Sequence, residues 1–77
     1  MNKQKFFTEL EALVNAPPGC IQENTLIEGL SGWDSLSNTE FRWMVADQLG
    51  RELDGLKVDR ARTVGDLLAL VVDLLED

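Results

Sequence analysis

The residues with the most chemical promise are Gly32-Trp33-Asp34-Ser35-Leu36, which place a serine hydroxyl just after a glycine-containing loop and at the opening of an apolar-periodic segment. Asp34 is a favoured helix N-cap, because its carboxylate can accept backbone N–H bonds in the first turn. Ser35 then stands on the first turn of a helix, a position exposed by geometry. The N-terminus of a helix carries unpaired N–H groups and a partial positive charge, so a phosphate ester formed on Ser35 would be stabilised there. Serine is also common at helix starts for capping reasons alone, and that reading of the tripeptide stays open at this point.

Little else in the chain can do chemistry. Histidine is absent and cysteine occurs once, at Cys20. That excludes an internal disulfide, the Cys/His zinc patterns, and any triad or metal centre built on imidazole, so no metal-ligating residue and no catalytic residue is assigned. A serine nucleophile would need Lys or a carboxylate as its base, and a pair of acids would need a cleft that four short helices hardly make. Cys20 has no neighbouring cation or helix start in the sequence to lower its pKa, and it is expected to be a buried or semi-buried small hydrophobe in a loop.

Length and charge narrow the class further. The chain has 77 residues, enough for one domain spanning 1–77, with 7 basic and 14 acidic residues and a net charge of −7. That sign repels phosphate backbones and anionic membranes, so neither nucleic acid nor membrane is an expected partner. The basic N-terminus lacks the apolar core of a signal peptide. No stretch approaches the roughly 18 apolar residues of a membrane span, and a cytoplasmic location is expected. The negative charge falls in residues 23–40 and 63–77, around a near-neutral middle.

The elements that must position Ser35 are legible as helical periodicity. Phe6, Phe7, Leu10, Leu13 and Val14 share one face of a helix predicted over 3–15, ended by Asn15-Ala16-Pro17-Pro18-Gly19. The connection from Pro17 to Trp33 carries Ile21, Leu26, Ile27 and Leu30, too apolar for a solvated linker, so it is expected to pack down with a helical turn near 24–28. A second helix runs from Asp34-Ser35 to about Leu49 and stops at Gly50. Its buried stripe is Phe41, Val45 and Leu49, while Leu36, Thr39 and Trp43 form a second stripe that can face solvent. A short third helix is expected at Val58–Ala61. Thr63-Val64-Gly65-Asp66 reads as a capping box opening a fourth helix over 63–75. The predicted core joins Phe6, Leu10, Phe41, Val45, Leu67 and Val71, and strand-like alternation is nowhere sustained.

Asp34-Ser35-Leu36 opening the second helix, behind a long apolar-studded loop in a small acidic chain, resembles the acyl carrier proteins. Thr63-Val64-Gly65-Asp66-Leu67 resembles the start of that family's last helix, and the likeness covers essentially the whole chain. The resemblance implies an all-α bundle of three main helices and one short one. It also implies that Ser35 carries 4'-phosphopantetheine, taken from coenzyme A, with Asp34 and Leu36 flanking the attachment point. The arm would hold acyl groups as thioesters, and the protein itself would catalyse nothing. The implied partners are a phosphopantetheinyl transferase and acyl-loading and acyl-processing enzymes, meeting a monomer through Leu36, Thr39, Glu40, Trp43 and Asp47.

The second helix is less acidic than in common members, with Ser37, Ala46 and Arg42 on the face that retains Asp34, Glu40 and Asp47. Trp33 and Trp43 also replace smaller residues. These departures point to a specialised fatty-acid- or polyketide-like pathway. An aminoacyl or peptidyl carrier, and a helical interaction module without a prosthetic group, are the alternatives.

Overall fold

Asn2 opens the first helix by accepting the Lys5 N–H on its side-chain oxygen at 2.8 Å, and α1 runs over Lys3–Leu13. The helix ends two residues before the predicted boundary. Asn15 adopts φ 58°, while Ala16 N–H reaches back to Glu11 O at 2.8 Å and Asn15 N–H to Ala12 O at 3.3 Å. This is a Schellman closure with asparagine in the left-handed position, which stops the helix before the prolines act.

The computed structural model describes residues 1–76. It is an all-α fold of four α-helices: α1, α2 over Ser35–Leu49, α3 over Gly55–Arg60 and α4 over Val64–Ala69. Two 3₁₀ turns, Ile27–Gly29 and Val72–Leu74, complete it. The turn in the long connection therefore lies slightly later than 24–28. Gly50 ends α2 at φ 71°, a conformation that costs glycine little. α3 starts three residues before the predicted Val58, because Asp54 caps it by accepting the Leu56 N–H at 2.9 Å.

α4 opens as the sequence predicts. Thr63 Oγ1 accepts the Asp66 N–H at 3.2 Å, and Asp66 Oδ2 accepts the Arg62 and Thr63 N–H groups at 2.9 and 3.1 Å. These bonds, that of Arg62 first, hold the Asp66 carboxyl below the usual aspartate range. The helix does not continue to residue 75. Arg51 Nη1 donates to the Leu70 carbonyl at 3.0 Å, and the guanidinium makes a two-pronged pair with Asp73 at 2.8 Å on each oxygen. The tightening itself begins at Leu70 and Val71, whose N–H groups reach back three residues to Leu67 O at 3.1 Å and Leu68 O at 3.0 Å, and the Arg51 contacts tie the 3₁₀ turn that follows to the chain just after α2.

Phe6, Leu10, Phe41, Val45, Leu67 and Val71 are all fully buried, joined by Val64 and Val58. Phe6 meets Phe41 edge to face, with ring centroids 6.0 Å apart at 88°, a favoured aromatic geometry. Leu49, assigned to the same stripe as Phe41 and Val45, is half-buried against this core, as is Phe7.

The long connection is held down as its apolar residues require. Ile21 and Ile27 are buried, and Leu26 pairs with Thr63 through Ile27 N–H to Arg62 O and Val64 N–H to Thr25 O, each at 2.9 Å. Glu11, itself buried, accepts the N–H groups of Gly19 at 2.8 Å and Ile21 at 3.4 Å. With the N–H groups on either side of it turned to Glu11, Cys20 is exposed rather than buried or semi-buried.

Candidate functional site

Ser35 stands at the first position of α2, exposed, between exposed Asp34 and exposed Leu36. Three features hold this corner. Asp34 Oδ1 accepts the N–H groups of Leu36 and Ser37 at 3.0 and 3.1 Å. Ser37 Oγ accepts the Asp34 N–H at 3.0 Å and donates to the Gly32 carbonyl at 3.1 Å. Gly32 in turn lies against the end of α1 so closely that a Cβ would sit 2.0 Å from the Val14 carbonyl oxygen, which only glycine allows. Trp33 anchors the same loop, half-buried with its ring 6.3 Å from that of Phe41.

The capping changes the electrostatics expected at Ser35. Two of the first-turn N–H groups are already satisfied by Asp34, so the amide left for a phosphate ester is that of Ser35 itself, and the Asp34 carboxylate opposes part of the helix-end charge. The hydroxyl remains exposed, with an open groove beside it.

Beyond Ser35, α2 presents the second stripe outward. Leu36 is 67% and Trp43 68% exposed, and Thr39 is partly exposed between them. Glu40 and Asp47, seven residues apart and so on one side of the helix, are both exposed. Leu56, on α3 beside Ser35, adds a further exposed apolar side chain.

Ser37 and Arg42 do not lie on the outward face to which their positions in α2 assign them. Ser37 is 3% exposed and turned into the capping network. Arg42 is half-buried and leans toward α3, its Nε donating to Asn38 Oδ1 at 2.8 Å. Asn38 is the residue that sequence reasoning missed altogether. Its side-chain amide, 7% exposed, donates to Gly55 O at 3.1 Å and Asp59 Oδ1 at 2.6 Å and so ties α2 to α3. The Asn38–Arg42 spacing of four was the available signal, since such pairs meet on a helix surface. A second cleft, lined by Leu26, Ile27, Trp33, Val58, Arg60 and Arg62, opens on the loop side of α3.

Comparison with protein-family models, with curated proteins and with solved structures finds no match to this chain. Among the described residues no helix is long and apolar enough to cross a membrane.

Proposed function

We propose that this chain is an acyl carrier protein whose Ser35 Oγ holds 4'-phosphopantetheine as a phosphodiester derived from coenzyme A. The observation that carries the reading is the exposed Ser35 hydroxyl on a rigidly capped corner, with the exposed Leu36 and Trp43 beside it. The arm supplies a thiol that carries an acyl group as a thioester.

The chain's own residues do the rest. Asp34, Ser37 and Gly32 fix the backbone that presents the hydroxyl. Leu36, Thr39 and Trp43 offer partner enzymes an apolar stripe, and Glu40 and Asp47 steer their approach through basic surfaces. The partners are a phosphopantetheinyl transferase and the enzymes that load and process the acyl group, in a specialised fatty-acid- or polyketide-like pathway. The protein works as a carrier and not as an enzyme.

Intact mass after incubation with coenzyme A and a broad-specificity phosphopantetheinyl transferase tests this. The wild-type chain is expected to gain one arm. Ser35→Ala is expected to melt like the wild type and gain nothing, because the exposed hydroxyl makes no hydrogen bond among the described residues. A wild-type chain that gains no mass would refute the reading, and an arm found on Ser31 would move the site.

A further inference from the structure

The groove running from Ser35 between α2 and α3 is lined by Ser35, Thr39, Arg42, Asp54, Leu56 and Asp59. Its floor is polar. The buried Asn38 amide spans it to Gly55 O and Asp59 Oδ1, and Arg42 completes the stitch from Nε to Asn38 and from Nη2 to Thr39 Oγ1 at 3.4 Å. Gly55 packs on the guanidinium so tightly that a Cβ there would lie 3.3 Å from Arg42 Cζ.

An alkyl chain entering this seam would break those bonds and leave a buried amide and a half-buried cation without partners. Stranding desolvated polar groups is the costly side of hydrogen-bond loss. A ligand that stays in the open groove meets a different surface. Arg42 Nη1 has no acceptor among the described residues and can donate to a carbonyl or hydroxyl oxygen. The same groove holds the carboxylates of Asp54 and Asp59 against that single guanidinium, which disfavours an anionic ligand.

Resting on the carrier reading above, we propose that the carried group is a neutral polar acyl chain, bearing hydroxyl or amide groups. It is held outside the bundle along the α2–α3 groove, and the Asn38–Arg42 stitch bars alkyl chains from the interior.

A chemical attachment tests this independently of any transferase. In the full chain with Cys20→Ser and Ser35→Cys, the introduced thiol is alkylated with an iodoacetamide on a pantetheine-length spacer. The spacer ends in a methyl group, an octyl chain or a hydroxylated chain of octyl length. The octyl and methyl conjugates are expected to share the same NMR shifts at the Asn38 side-chain amide, Val45 and Val58, and to melt within about 2 °C of each other. The hydroxylated chain is expected to shift Arg42 Nε–H and Thr39.

An octyl-specific shift at Asn38 or Val45, with a Tm rise of about 4–8 °C as its methylenes leave water, would overturn the proposal. Octyl-specific shifts at Leu26 and Ile27 would also overturn it, by placing the chain in the cleft beside Trp33. So would a hydroxylated chain that leaves Arg42 unmoved. Absence of enzymatic loading at Ser35 would refute the carrier reading instead, and these three conjugates would still decide where an attached chain lies.

Discussion

Trp43 is the residue whose surroundings say most about α2. Eight residues after Ser35 on a helix rising about 1.5 Å per residue, it lies about 12 Å from that serine along the axis. It is 68% exposed on a stripe separate from Phe41 and Val45. A large indole left in water is a contact surface in waiting. With Trp33→Phe leaving Trp43 as the sole reporter, its fluorescence is expected to be readily quenched by acrylamide in the unmodified protein. Partner binding should then change the signal. A shielded signal that responds to neither would remove Trp43 from the docking stripe.

At the scale of elements, the start of α4 shows how much a cap can do. Asp66 holds the first turn of α4 together while its carboxyl is charged, and its pKa in the folded protein is lowered by the Arg62 and Thr63 N–H groups. A carboxyl depressed on folding stabilises the native state fully above its unfolded value of about 3.9, and that stabilisation fades as pH falls through the lower folded value. Asp66→Asn is therefore expected to flatten the acid side of a Tm-against-pH curve below about pH 4. An unchanged acid limb would show that the cap contributes nothing through its charge.

In the proposed carrier, Glu40 and Asp47 on α2 steer association. Glu40→Lys with Asp47→Lys is expected to slow binding to the transferase mainly through the on-rate. The loss should shrink with added salt, as exposed charges are screened over a Debye length of about 10 Å at 0.1 M. Equal on-rates for the double variant and the wild type at low salt would end the electrostatic account. The loop between α1 and α2 is the least independent element, since its order comes from Glu11 on one side and from its pairing with Arg62–Val64 on the other.

The whole molecule has a radius of gyration of 11.1 Å, close to the roughly 11.5 Å expected for a compact chain of this length. Met1 and Glu76 meet, the Glu76 N–H reaching the Met1 carbonyl at 2.9 Å. With so short a chain, stability rests on few side chains. Phe41, fully buried between Phe6 and Trp33, is the largest one α2 contributes to the core. Phe41→Ala is expected to cost about 3–5 kcal/mol out of a typical total of about 5–15, read as a large drop in urea midpoint. A midpoint near that of the wild type would mean the core does not depend on this ring.

Apolar periodicity together with the capping residues determined that this chain is all-α, which stripe of α2 is buried, where α2 and α4 begin, and that Ser35 stands exposed on a first turn. Those features rest on local rules, since apolar spacing, capping side chains and a terminal glycine act within a few residues of each other. Tertiary structure decided the rest. The turn that follows α4 is tied down by Arg51, nineteen residues before the Leu70 carbonyl to which it donates. Cys20 faces out between two residues whose N–H groups Glu11 accepts. Asn38 and Arg42 close the α2–α3 seam only because Gly55 and Asp59 come to meet them. A polar side chain's place depends on which distant donor or acceptor satisfies it, and no pattern within one helix carries that information.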